Sequence, residues 1–575
     1  MRLMLVLVLV LAVACGSASP SPAERVTALA DRYVREHLEA FPQYALAIGA
    51  PEAHPDRLAD HSLPALARWE AREDEMAAEL ASIDAGALEG TPEAITRIFL
   101  ENLLASAKAY RTCRMELWNV SPTWTGWQGE MPLVAGMQAV ATADDQRHAL
   151  ARWSHLSQYL DDEIANLGEG LRLGYTAPKN NVRAVIEQMD AMLAAPIADS
   201  PWVKMAPEGA GEFRASLEEL ERSRIRPAIQ RYRDYLADTY LSQAREPIGV
   251  SANPDGEGCY RAAVRYFATV ELTPQEVHDL GLAQMDRIMA EVRAIGERSF
   301  GTSDPLQVMA LARTERKYRF TDRAELIAYA ESAVERARQA LPKAFGRMPS
   351  APVIVEPYPP FLEKSAPGGQ AIPPSADGKP GKYMINAYEA SEQSKAGLES
   401  TAFHETYPGH HLQVAVALER PGLHPISRYF FLSGFGEGWA LYAERLSDEM
   451  GLFSSDVDRL GLLSNEALRA ARLVVDSGMH VLGWSRQQSI DYLLAHTTST
   501  AASATAETDR YIAVPGQATA YMIGNLEIRR LRSEAEQALG ERFDLRAFHD
   551  LVLEDGAMPL WALREKVERW IAAGR

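Results

Sequence analysis

Between residues 350 and 381 the chain carries Pro352, Pro357, Pro359, Pro360, Pro367, Pro373, Pro374 and Pro380, interleaved with Gly368, Gly369, Gly378 and Gly381. No helix survives such a run, because each proline removes a backbone donor and its ring crowds the preceding turn. On both sides, from about 22 to 345 and from about 391 to the end, the sequence reads as helix. Thr273-Pro274-Gln275-Glu276 is a capping signature with Pro at the first helical position, and Leu282, Met285, Met289 and Val292 follow at spacings of three and four. Ser485-Arg486-Gln487-Gln488 opens another such helix, leading into Ile490, Leu493 and Leu494. Short β-like runs, Val353-Ile354-Val355 and Tyr383-Met384-Ile385-Asn386, flank the proline segment. The expected fold is mainly α: one large helical unit with two lobes and a small β-sheet beside the helix that follows it.

Composition supports a packed chain and narrows its partners. Of 575 residues 47% are hydrophobic and 24% charged, which excludes disordered, collagenous and disulfide-scaffold classes. The 59 Lys and Arg against 78 Asp and Glu give a net charge of −19, a balance that repels phosphate backbones and anionic lipid. Nucleic acid is therefore not an expected partner. No repeat of 20–50 residues is present.

Residues 1–15 read MRLMLVLVLVLAVAC, an apolar run too short to span a bilayer but suited to a secretory signal. The ending Ala12-Val13-Ala14-Cys15 resembles the bacterial lipobox, with Ala12 where Leu is commoner. Residues 1–14 are thus expected to be a signal peptide and Cys15 the lipidated first residue of a tether over 15–24. Residues 25–575 then form a single unit. Gly16 after the Cys resembles outer-membrane sorting, so the protein is expected on the periplasmic side of that membrane, held by its lipid anchor alone. Cys113 and Cys259 remain as thiols, and an oxidising compartment permits either a bridge or two separate buried residues.

The string that carries chemistry is His404-Glu405-Thr406-Tyr407-Pro408-Gly409-His410-His411-Leu412-Gln413. In the zinc peptidase pattern H-E-x-x-H two histidines one helical turn apart reach one metal, and the Glu beside the first activates water. Position 408 is Pro, so that pattern is absent. On an ideal helix His404 and His410 are rotated by about 120° and face apart, whereas His411 returns to the same face but lies ~10.5 Å along the axis. Pro408 deletes the bond to residue 404, and a bulge absorbing two extra residues brings His410 to the place four residues after His404. A kinked helix whose histidines are each satisfied separately is the alternative, and the choice between His410 and His411 as second ligand stays open.

HETYPGHHLQ, with GEGWALYAERL at 436–446, RLVVDSGMHVLGWS at 472–485, PGQATAYMIG at 515–524 and DGAMPL at 555–560, resembles the bacterial "domain of unknown function 885" family. The resemblance runs from roughly 25 to 573 and is most specific over 380–560. That family is similar to helical zinc peptidases such as thimet oligopeptidase and angiotensin-converting enzyme, whose Gly-His pair at the second ligand aligns with Gly409-His410. The resemblance implies one Zn2+ ion held by His404, His410 and Glu437, with other divalent metals admitted by the same donors. Glu405 is the implied general base. Tyr521 is the implied oxyanion donor. Glu444, on nearly the same face as Glu437, is either an alternative ligand or an acceptor behind a ligand imidazole. Arg472, Asp476 and His480 stand four apart on one helix face, where they orient a ligand, hold a substrate carboxylate, or simply stabilise the helix. His411 contacts substrate or packs structurally. The strand at 383–386 resembles the edge that pairs with peptide backbone in helical zinc peptidases.

These readings give zinc-dependent hydrolysis of peptide bonds in oligopeptides within the cell envelope. Two alternatives stand beside it: a non-catalytic binding lipoprotein of the same fold, and a hydrolase of a non-peptide amide or ester.

Overall fold

The computed structural model describes residues 20–50, 54–363, 366–375 and 379–574. The signal peptide, Cys15 and the first part of the tether lie outside the described residues. The chain is mainly α-helical, with one three-stranded sheet. Among the described residues no helix is long and apolar enough to cross a membrane.

Two hydrophobic cores organise the helices. The larger draws on residues from Val26 to Ile571, and the first helix, α1 (Pro22–Ala40), reaches the C-terminal third where the Tyr33 ring lies 5.4 Å from that of Phe430. The smaller is built from Leu58 and from residues between Val120 and Ala244. Cys113 and Cys259, both in the larger core, are joined by a disulfide that spans 146 positions. The bridge ties the point where the chain leaves the larger core to the point where it returns, which resolves the two options left by the sequence.

The capping box at Thr273 forms: Glu276 N donates to Thr273 Oγ1 at 3.2 Å, and Thr273 N donates to Glu276 Oε2 at 2.7 Å. It opens α2 (Pro274–Ser299). The buried face differs from the expected one. Leu282 is 40% exposed, and the stripe runs through Val277, Met285, Ile288, Met289 and Val292. Gly281 sets this rotation, because a Cβ there lies 2.7 Å from the Val474 side chain, so the neighbouring helix seats against the glycine and turns Leu282 to solvent. Leu494 is likewise 37% exposed, while Ile490 and Leu493 are buried.

The proline segment folds as the sheet. Strands β1 (Val353–Pro357), β2 (Gly369–Ile372) and β3 (Gly381–Ile385) lie in the order β1-β3-β2, with β1 parallel and β2 antiparallel to β3. The strand at 383–386 is therefore not an edge. It is the centre of the sheet, with Tyr383 and Ile385 each 1% exposed. The edges are β1 and β2; β2 begins amid Pro367, Gly368 and Gly369 and is too short for a period-two pattern to register.

Cys113→Ser is expected to lower unfolding stability by about 2–4 kcal/mol, since the bridge constrains a long loop of the unfolded chain. Thiol titration of a denatured, unreduced chain starting after Cys15 should find no free cysteine, and two after reduction. Two thiols before reduction contradict the linkage.

Candidate metal centre

The motif begins on α3 (Leu398–Glu405) and ends on α4 (His410–Leu418), separated by the four residues 406–409. The Tyr407–Pro408 peptide is cis. Across the break two hydrogen bonds span six positions instead of the helical four: Gly409 N donates to Phe403 O at 3.0 Å and Leu412 N to Thr406 O at 3.3 Å. The two extra residues are thus looped out, and the helical path resumes with His410 one turn beyond His404. Gly409 is required by space. A Cβ there would sit 1.9 Å from His404 O and 2.4 Å from Phe403 O. The indole of buried Trp439 donates to Pro408 O at 2.9 Å and holds the loop from the next helix.

That helix is α5 (Ser433–Glu449), followed by α6 (Asp456–His480) and, later, α7 (Ala520–Leu539). Helices α5 and α7 cross at glycines: a Cβ on Gly438 would meet Gly524 backbone at 2.5 Å, and one on Gly524 would meet Gly434 O at 1.9 Å. The close crossing sets Glu437 on α5 and Tyr521 on α7 in the wall of one cleft with His404, Glu405 and His410. The cleft encloses about 840 Å³. Apolar side chains line much of it, among them Ile48, Val414, Leu418, Leu423 and Phe431.

His404, His410 and Glu437 each offer one ligand atom, all within 4.8 Å of one another. His404 Nε2 lies 3.5 Å and His410 Nε2 3.7 Å from Glu437 Oε2, and the two rings stand perpendicular with centroids 4.8 Å apart. Donors around a tetrahedral ion at ~2.0–2.1 Å are about 3.3–3.4 Å apart. The donor set fits such an ion with small adjustments, and two imidazoles with one carboxylate leave a position open. Glu444, 1% exposed, does not join the cluster: it accepts from His404 Nδ1 at 2.8 Å and from Ser400 Oγ, fixing the imidazole so that Nε2 faces Glu437. His410 Nδ1 lies 3.4 Å from Gln413 Oε1.

The electrostatics favour a cation. Burial disfavours charge on His404, yet its bonds to Glu437 and Glu444 and the field of those carboxylates and Glu405 raise it to about 10. Burial likewise opposes ionisation of Glu437, and the two imidazoles nonetheless hold it well below the usual carboxylate range. A field that retains a proton on an imidazole favours a divalent ion in its place.

The remaining residues fall in two groups. Glu405 faces the cleft, and its Oε2 accepts from Ala371 N of β2 at 2.8 Å, so the edge strand lies against the carboxylate. The Tyr521 phenol is raised by burial and by Glu437, which keeps its proton in place at neutral pH. The Arg472 guanidinium stacks on the Tyr521 ring at 4.8 Å while pairing with Glu507 and donating to Tyr511 Oη. His411, Asp476 and His480 sit outside the cluster. His411 Nε2 donates to Ala351 O at 3.0 Å, and its ring packs on Gly381. Asp476, fully buried, accepts from Gly516 N at 3.0 Å, and burial raises it to about 7. His480 accepts from Val250 N at 3.2 Å and donates to Tyr511 O at 2.9 Å, and burial lowers it to about 4. It is a neutral strut between segments. Three participants escaped the sequence reading: β2, Trp439 and Arg469, the last a cleft residue one turn before Arg472. Trp439 lies within the quoted GEGWALYAERL run, and Arg469 extends the Arg472-Asp476 face by one turn, so each left a trace.

A family model described as "Bacterial protein of unknown function (DUF885)" matches residues 42–567. No curated protein matches the chain. Among solved structures, a candidate lipoprotein from Colwellia psychrerythraea is 25% identical, with a TM-score of 0.85, over 96% of this chain and 100% of that one. A second, described as a candidate lipoprotein of unknown function from Shewanella oneidensis, is 19% identical with a TM-score of 0.74, over 95% and 99% of the two chains, and shows the shared fold.

Removing the acceptor behind His404 with Glu444→Gln should weaken Zn2+ binding about 10–100-fold in a chelator-competition titration. Affinity equal to the wild type contradicts the assignment of Glu444.

Proposed function

The chain belongs to the DUF885 family of bacterial proteins, and we propose that this member is a metal-dependent hydrolase of peptide bonds in short peptides, with Zn2+ as its ion. The observation that carries the reading is the cluster of His404, His410 and Glu437 with Glu405 beside it in one cleft. The similarity of the motifs to helical zinc peptidases supports it.

A bound divalent ion supplies Lewis acidity, polarising the scissile carbonyl and acidifying water. The chain's own groups do the rest. Glu405 Oε2 is occupied by Ala371 N, which orients the carboxylate and leaves Oε1 to take a proton from water and pass it to the leaving amine. Tyr521, protonated and beside Glu437, donates to the oxyanion that develops on the carbonyl. Arg472 beneath its ring stabilises that charge without itself entering the reaction. The β2 edge offers backbone groups to an extended substrate, and the apolar part of the cleft lining receives its side chains. The protein works in the cell envelope: the 1–15 leader fits a lipid anchor at Cys15, in keeping with the two structural neighbours described as candidate lipoproteins.

Zinc-loaded wild type is expected to cleave short peptides and to lose that activity on chelation. Glu405→Gln should retain one metal per chain and lose about 10²–10⁴-fold in kcat. Full activity in Glu405→Gln would sink the mechanism. A protein that binds metal and cleaves no peptide, amide or ester is instead a binding lipoprotein.

A further inference from the structure

Among the described residues Arg469 has no ion-pair partner. It lies on α6, one turn before Arg472, half-buried in the wall of the metal cleft. The two arginines that stand with it around Tyr521 are paired, Arg472 and Arg510 both with Glu507. Arg469 instead makes one hydrogen bond, from Nη1 to Asn465 O of its own helix at 3.3 Å, and its Nε is buried with no acceptor. Among the described residues no carboxylate pairs with it. Arg428, the other arginine of the cleft, is exposed, where water solvates its charge. A half-buried guanidinium with an empty donor is costly, and in a chain of net charge −19 a partner was available to selection.

The cleft's own carboxylates are engaged elsewhere. Glu437 faces two imidazoles, and Glu405 Oε2 is bound by Ala371 N. The position of Arg469 gives the absent partner a place. Arg469 stands one turn before Arg472, whose guanidinium stacks on the Tyr521 ring, and it lines the same cleft as Tyr521 and Glu437. Guanidinium forks match carboxylates in a two-bond geometry that also fixes orientation.

We propose that Arg469 anchors a carboxylate of the substrate close to the scissile bond, which makes short peptides with a free C-terminus the preferred class. The inference rests on the hydrolase reading and adds to it the substrate's charged end. An acidic side chain next to the cleaved bond presents the same chemistry, and the test separates the two sources.

The test uses zinc-loaded mature protein and a library of short N-acetylated peptides, each made as the free acid and as the carboxamide. Wild type should favour free acids by about 10–100-fold in kcat/KM, mostly through KM. Arg469→Ala should bring the acids down to the level of the carboxamides, leave the carboxamides and the metal content unchanged, and regain part of the preference as Arg469→Lys. Preference among carboxamides for Asp or Glu over Asn or Gln, lost in Arg469→Ala, assigns the anchor to a side-chain carboxylate. Equal cleavage of acids and carboxamides by wild type overturns the anchor while leaving the hydrolase intact. An Arg469→Ala variant that loses both forms alike also overturns it, because the residue then acts on Tyr521 and not on substrate. A zinc-bound wild type that cleaves nothing removes the hydrolase reading and the anchor with it.

Discussion

The site depends on a defect in one helix. His404 and His410 are six residues apart, and on an unbroken helix they face different directions. The 406–409 loop removes two residues from the helical count, as the six-position bonds from Gly409 to Phe403 and from Leu412 to Thr406 show. Everything else at the centre serves that registration. Gly409 fits where no Cβ does, Trp439 pins Pro408 O, and Glu444 fixes the His404 ring. Without the loop, Glu437 faces one imidazole rather than two.

The second constraint is the glycine crossing of α5 and α7. Gly434, Gly438 and Gly524 bring two backbones together closely enough for the Glu437 carboxylate and the Tyr521 phenol, from distant parts of the chain, to share one cleft with α3 and α4. Crossings of this kind are set by the absence of side chains and tolerate no added methyl group. The disulfide is a third tie of a different kind. It closes the excursion that builds the smaller core and leaves the candidate metal centre to the larger one.

Much of this was legible in the sequence because local chemistry recorded it. The Pro-Gly pair inside HETYPGHHLQ signalled that two residues must be looped out, and glycines around Glu437 signalled close approach. What escaped was set by tertiary neighbours. Leu282 fits the helical period yet faces solvent, because Gly281 decides which side of α2 meets α6. The strand at 383–386 takes the central, buried position, with β1 and the short β2 as the two edges. Arg472, Asp476 and His480 share a helix face but not a role: the first stacks on Tyr521, whereas the others bond to backbone away from the cleft. Spacing identifies a face. It does not tell what lies opposite.

The central claim is that His404, His410 and Glu437 hold one metal ion. Zinc-edge X-ray absorption on the zinc-loaded protein tests it most directly, comparing wild type with His410→Ala and His411→Ala. The account predicts one zinc per chain with a nitrogen and oxygen shell at ~2.0–2.1 Å. It also predicts loss of one imidazole from that shell in His410→Ala and no change in His411→Ala. A shell altered by His411→Ala but not by His410→Ala, or no stoichiometric metal at all, would contradict it.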